Sequence, residues 1–479
     1  MAKSPILGSA YVARSVNAAD NRMVNLFPEI IPEGGKEPAF LSRAPGLRLL
    51  ATVGDGPVRG LWPFGANLYV VSGTKLYKVD TVYAVTELGT VSGTIAPVSM
   101  ANNGTQLFVA CDGNSYIYNP GTGVFIQITD ADFPGAGKVG YLDDYFVLNK
   151  PNDNELWVSA LGDGLLYDAT VGFAEIEGSP GDIVSLVVTN REVWIFKGTT
   201  TEVWYNAAGS AFPLAVIQGA FIDIGCLAAS SVVRLDNSVF WLGRDSNGQG
   251  VVYRVVGYQA QRISTHSIEW QIQQYSTLSD AIAYGYQQDG HVFYVLTFPT
   301  ADATWVYDVS TQAWHERAGL NNGEFVRHRG NCYAFFNGEN ILGDFENGKL
   351  YGFDLEVYGD NGAAQKWLRS WRGLTPDQYN LKRSAHHDLQ IDCEVGVGIA
   401  DGQGEDPQMM LRWSDDGGHT WSNEHWATMG AIGVYGTRVN WHRLGMTLKA
   451  RDRVYEISGT DPVKIAIVGA ELTASGTSA

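Results

Sequence analysis

The run Ser414-Asp415-Asp416-Gly417-Gly418-His419-Thr420-Trp421 has the residue types of an Asp-box, S-x-D-x-G-x-T-W. In such a run Asp416 can accept hydrogen bonds from turn amides, Gly418 admits a positive φ, and Trp421 can pack beneath the hairpin. Boxes of this kind are structural. Glycoside cleavage would also need two carboxylates at a fixed separation in one pocket, and the sequence offers no such assignable pair. Two acidic turns, Asp245-Ser246-Asn247-Gly248 and Asp401 to Asp406, place oxygen ligands close together. Neither completes a twelve-residue calcium loop ending in Glu, so solvated turns are expected. His386 and His387 are adjacent and would face opposite sides of a strand, which disfavours a shared metal. GxSxG, Walker and HExxH motifs are absent. The expectation is therefore no catalytic set, no cofactor site and no metal site. Arg438, His442, Arg443, Lys449, Arg451 and Arg453 form the densest basic stretch. It reads equally as a contact with DNA or an acidic partner subunit and as a solvated strand face.

The elements that must carry these residues are strands. The chain has 479 residues, 45% hydrophobic and 12% aromatic, with 56 Gly against 17 Pro. That is the composition of a large core joined by many tight turns. An aromatic, β-branched strand recurs seven times: NLYVVSG from Asn67, QLFVACDG from Gln106, DYFVLNK from Asp144, EVWIFKG from Glu192, SVFWLGR from Ser238, HVFYVLTF from His291 and NCYAFFNG from Asn331. The starts average 44 residues apart, and a second strand follows each (KLYKV, SYIYN, ELWVS, TEVWYN, VVYRV, TWVYD, KLYGFD). A hairpin every 40-odd residues, with room for two more strands, predicts a β-propeller of about seven blades over 57–365. HSIEWQIQQY (266–275) is a short helical exception.

Residues 1–56, with Pro28, Pro32, Pro38 and Pro45 and no alternation through the middle, read as an extended arm packed on its own propeller or a neighbouring subunit. Residues 366–474 hold six of the 14 Trp and several strand-like runs, HDLQIDCEV, QMMLRWS, RVNWHRLG, DRVYEIS and PVKIAIVGAEL. They predict an antiparallel β-sandwich, with 475–479 a frayed tail. The fold expected is all-β throughout.

The net charge of −18 is uneven, since residues 366–479 carry 12 Lys and Arg against 14 Asp and Glu, leaving the rest at 21 against 37. An acidic surface argues against wrapping nucleic acid but not against a conduit past which DNA slides without sticking. Cys111, Cys226, Cys332 and Cys393 are widely spaced, which suits buried thiols in a reducing cytosol rather than a disulfide framework. The N-terminus lacks the apolar run of a signal peptide, and no stretch approaches a membrane span.

Several runs carry a family resemblance: GHVFYVLTFPTADATWVYDVSTQAWHER (290–317), DPQMMLRWSDDGGHTWSNEHWATMG (406–430), RDRVYEISGTDPVKIAIVGAEL (451–472), and the openings NAADNRMVNLFPE and RAPGL. Together they resemble the packaged-DNA stabilisation, or tail-hub (tail accessory), proteins of tailed bacteriophages. The resemblance implies a structural, non-enzymatic virion protein assembled in the host cytoplasm. It would form a six-fold ring beneath the portal, touching the head–tail adaptor protein, double-stranded DNA passing non-specifically, and a distal tail, spike, fibre or needle protein. The alternative is a glycan-binding or glycan-cleaving β-propeller, and a third reading is a calcium-stabilised adhesion module.

Overall fold

The computed structural model describes all residues except 1, 15–19, 94, 112, 210–211, 375–382, 449–452 and 477–479. Its organising feature is a ring of seven antiparallel blades. Blade 1 runs through Val58–Phe64, Asn67–Ser72, Lys75–Val79 and Val85–Thr90, each strand paired with the next. Blades 2, 3, 4 and 6 repeat this meander over 99–127, 139–175, 183–222 and 282–316. In blade 5 the innermost position is shared by Gly225–Cys226 and Val233–Leu235, both paired with Ser238–Arg244. Blade 7 comprises Gly330–Phe336, Glu339–Asp344 and Lys349–Asp354, and its outermost strand is Gly46–Thr52 from near the start of the chain.

The closure follows from strand periodicity. Successive side chains point to opposite faces of a blade, and each face is covered by a neighbour. In the second strand of blade 1, Tyr69 and Val71 pack with Leu107 and Val109 of blade 2, while Leu68 and Val70 pack with Ile341 and Leu350 of blade 7. Phe108 meets Phe146, Val147 meets Val193, Trp194 meets Trp241, Phe240 meets Tyr294, and Phe293 meets Tyr351. Seven apolar clusters thus fill the seven gaps between blades. With both faces covered, these second strands are buried along nearly their whole length, as doubly covered strands must be.

The seventh repeat differs from its sequence reading. NCYAFFNG is the innermost strand of its blade, whereas the other six recurrent runs are second from the axis. Every other blade supplies its four strands from one stretch of chain, but blade 7 borrows its last from Gly46–Thr52, so its own hairpins shift inward by one place.

Residues 1–56 are not simply an extended arm, and the propeller does not begin at 57. Ala2–Ser4 pairs with the last strand of the chain, Ala466–Gly476. Leu26–Ile30 and Ala39–Arg43 form a hairpin that joins the same strand. Met23–Val24 bridges Ala313–Glu316 of blade 6 to Trp367–Arg372, so one nine-stranded sheet runs from propeller to sandwich. Pro28 fits because its strand is the sheet edge, where the missing N–H costs no ladder bond. The sandwich core gathers Trp367, Trp371, Leu389, Leu411, Trp441, Tyr455 and Ile467 with Ile6, Leu26 and Leu41 from the N-terminal segment. The expected frayed tail is also shorter than read, because Ser475 and Gly476 pair with Ala385 and Ser384, and 477–479 lie outside the described residues. The helix forms at His266–Gln273, capped by Thr265.

Candidate functional site

The junction between propeller and sandwich is built from buried polar side chains of residues 20–45. Asn25, fully buried with φ 52°, donates from Nδ2 to the Ala318 and Lys366 carbonyls at 2.8 and 2.7 Å and accepts from the Ala318 N–H at 3.0 Å. Arg22 forms two 2.8 Å bonds to the Glu316 carboxylate, which raises the pKa of the guanidinium above its ordinary value. Arg43 donates to the carbonyls of Asp461, Val463, Tyr358 and Gln365 at 2.6–2.9 Å. Burial lowers its pKa to about 10. Asp360, close by and reached by the Gln365 amide at 3.3 Å, is pushed up to about 7 by burial. Arg22, Asn25 and Arg43 each bond on both sides of the junction, so the two modules are riveted rather than flexibly linked.

The Asp-box closes as a hairpin. Asp416 accepts from the N–H groups of His419 and Thr420 at 3.0 and 2.9 Å and from the Thr420 hydroxyl at 2.6 Å. Ser414 donates to Asp416 at 2.7 Å and accepts from the Gly418 N–H at 2.8 Å. These bonds, led by those from the Ser414 and Thr420 hydroxyls, hold the Asp416 carboxyl well below the usual range. Trp421 is half-buried, with the Arg412 guanidinium 4.7 Å above its ring. Gly418, at φ +98°, lies against Asp20, and a Cβ there would sit 2.5 Å from Oδ2 of that residue.

The basic stretch does not form one surface. Arg453 is only 3% exposed, bound by both nitrogens to Asp415 at 2.7 and 2.9 Å and stacked on Trp413 at 5.2 Å. It is a structural strut, and its sequence reading as a DNA or subunit contact is corrected, because a buried guanidinium bound bidentately by a carboxylate has no free face. Arg438 and Arg443 are exposed. Lys449 and Arg451 lie outside the described residues. His386 is buried between Tyr455 (2.6 Å) and Ser384 (3.0 Å), with burial lowering its pKa to about 4, while His387 faces out to Ser475. In the two acidic turns, Asp245 caps the N–H groups of Asn247 and Gly248 at 2.7 Å, and Asp406 binds Thr428. Among the described residues no cluster of three His, Cys, Asp or Glu could hold a metal. Cys111 and Cys226 are buried and Cys332 and Cys393 half-buried, and no disulfide is formed among the described residues. Burial pushes the pKa of Cys226 up to about 12.

A cavity of about 630 Å³ lies on the propeller axis and is lined by the innermost strands of all seven blades. Sequence reading missed both this cavity and the junction residues Arg22, Asn25, Arg43 and Asp360. The junction had one available signal. NRMVN and SRAPG place polar residues between apolar ones in a segment too apolar to be a free leader.

Comparison with known proteins supplies the family. A search of curated proteins finds no match. Among solved structures, the N-terminal domain of Nup159 is similar at 11% identity and a TM-score of 0.39, covering 68% of this chain and 98% of that one. A chain of the mitotic checkpoint complex is similar at 11% identity and 0.40, covering 69% and 98%. The family described as bacteriophage P22 Gp10, beta-propeller, matches residues 3–358, and that described as bacteriophage P22 Gp10, beta-sandwich, matches residues 370–475. Matched across both of its modules, the chain belongs to the bacteriophage P22 Gp10 family of structural phage tail and DNA-stabilisation proteins.

Proposed function

We propose that this protein is the hub, or nozzle, subunit of a phage tail. In this reading it joins the portal–adaptor complex to the distal tail, helps retain packaged DNA and forms part of the ejection conduit. It is a non-enzymatic virion component assembled in the host cytoplasm. Its partners are further copies of itself in a six-fold ring, the head–tail adaptor protein, a distal tail, spike, fibre or needle protein, and double-stranded DNA passing non-specifically. The observation that carries the reading is the riveted junction: Arg22, Asn25 and Arg43 lock propeller and sandwich into one rigid body, as a part that holds pressure and presents surfaces requires. The exposed Arg438 and Arg443 remain candidate contacts for DNA or an acidic neighbour.

The propeller axis itself is too small to be the conduit. A sphere of 630 Å³ would be about 11 Å across, narrower than the roughly 12 Å major groove of B-DNA alone. In this reading the DNA channel forms between copies, and the net charge of −18 would keep its wall from adhering to phosphates. The test is the mass of the assembly in purified tails. Six copies of the 52.1 kDa chain are expected, and a chain that stays monomeric both in tails and when mixed with its adaptor would overturn the reading. Hydrolysis of host glycans by the purified chain would favour the glycan-cleaving alternative.

A further inference from the structure

The axial cavity has an electrostatic character opposite to that of the molecule. The chain carries −18, yet none of the described residues lining this cavity is Asp or Glu, while Arg59, Lys138 and Arg234 all line it. Lys138 is placed at the head of blade 3's innermost strand by the bond from its N–H to Asn149 at 2.8 Å. From there its side chain reaches past blade 4 to blade 5, where Nζ donates to the Ser230 hydroxyl at 3.1 Å. That is its one described hydrogen-bond partner, and no described carboxylate pairs with it. An ammonium has three donors, so Nζ can donate to an incoming acceptor in a space also lined by Leu186, Val139 and Ile282. Desolvation there lowers its pKa to about 8. Arg234, on blade 5, also makes no described ion pair. The Asn331 side chain, whose amide donates to the Val58 carbonyl at 2.8 Å, lines the same space.

Lys138 is half-buried with no described counter-ion, and partial desolvation strengthens its attraction for an anion that reaches it. We infer that the propeller axis is a binding site for one small oxyanion, a phosphate or carboxylate, held by Lys138 with Ser230 and approached by Arg234. Its volume falls in the range of small-molecule sites and excludes duplex DNA. The bound anion would lock blades 3 and 5 together across the ring, making the propeller stiffer in an anion-rich medium. This site is independent of the hub reading, which stands or falls on the assembly's mass.

The experiment is calorimetric titration of the full-length chain with inorganic phosphate and, separately, citrate at constant ionic strength. One saturable site per chain is expected. In Lys138→Met affinity should fall at least about tenfold, the loss of one charge-assisted contact. Lys138→Arg should retain binding, and Arg244→Ala, exposed and outside the cavity lining, should change nothing. Without anion, Lys138→Met should melt at the same or a higher temperature than the parent, because a half-buried charge with no described counter-ion has been removed. Should that variant not fold, Ser230→Ala, which only removes the hydroxyl partner, is expected to weaken binding by a smaller factor. No saturable binding to the parent chain, or equal binding by parent and Lys138→Met, would refute the site.

Discussion

Ring closure by the strand Gly46–Thr52 makes a quantitative prediction. Leu47 on this strand is 1% exposed and packs with Phe293, Leu342, Tyr351 and Phe353 between blades 6 and 7, whereas Leu49, two residues along, is 44% exposed. Burying a leucine side chain is worth about 1.5–3 kcal/mol. The cavity left by truncation adds to this, so Leu47→Ala should destabilise by about 2–5 kcal/mol. Leu49→Ala deletes the same atoms from the same strand and should stay within about 0.5–1 kcal/mol. Equilibrium urea unfolding of the full chain reads the totals, and hydrogen exchange locates them. Leu47→Ala should speed exchange in both 46–52 and the partner strand 349–354, which opens with it, while leaving the amides of blade 3 unchanged. Gly46 supplies a second lever, since a Cβ there would lie 2.2 Å from the Val357 carbonyl oxygen. Gly46→Ala should therefore loosen the same pair of strands by about 1–3 kcal/mol. Equal losses for Leu47→Ala and Leu49→Ala, or exchange that rises evenly round the ring, would refute the idea that this strand is the closure.

Other perturbations have expected outcomes of their own. Asp415→Ala strands the buried Arg453 and should cost about 3–5 kcal/mol, whereas Asp415→Ala combined with Arg453→Met should recover most of it, measured by urea unfolding. Arg317 is 2% exposed and lies 5.2–5.5 Å from the rings of Tyr286, Phe293 and Phe353. Among the described residues no carboxylate pairs with its guanidinium and none of its nitrogens has a partner in good hydrogen-bond geometry, so Arg317→Met should be neutral or stabilising, and a loss above about 2 kcal/mol would show that its contact with Tyr286 is a stabilising one. Asp360, with its pKa raised to about 7 by burial, binds more protons folded than unfolded between about pH 4 and 7. Its stabilising contribution is thus complete below the ordinary carboxyl range and lost as pH rises to 7. Asp360→Asn keeps the Gln365 contact and should gain on the parent by up to about 4 kcal/mol between pH 4 and 8, seen in parallel melts. A pH-independent difference between the two would refute this.

The blades were legible in the sequence because each second strand must be apolar on both faces. A run such as HVFYVLTF is conspicuous for lacking the alternation of a half-exposed strand, and its recurrence reports how often two neighbours cover one strand. Several first and last strands are short and mixed in polarity, as in SMAN and QAQR, and only spacing implied them. NCYAFFNG was misplaced by one position because an inner strand bordering the next blade has the same composition as a second strand. The N-terminal segment was misread for a different reason. Its strands are two to seven residues long and pair with partners hundreds of residues away, as Met23 does with Arg369 and Leu41 with Ile467. Local pattern says nothing about such pairing. Arg453 shows the same limit: a count of positive residues cannot tell a buried strut from an exposed contact.

The two family modules are consecutive in sequence but not separable in the fold. Residues 23–52 contribute one strand to the blade 6–sandwich sheet, two to the far sheet of the sandwich and one to blade 7. Leu26 faces the sandwich core while Phe27, the next residue, faces the blade 6–blade 7 cluster, so a single peptide unit is clamped by both modules. A chain cut between 358 and 370 would leave the sandwich without the strands that cover Ile467 and Leu472, and a propeller lacking residues 1–52 would have an open blade beside an unfilled cluster. Pairings this distant in sequence close late, because their loop entropy must be overcome before the contacts form. The ring and the sandwich are therefore expected to lock together in one final step, and that coupling is what turns two ordinary β modules into a single rigid part.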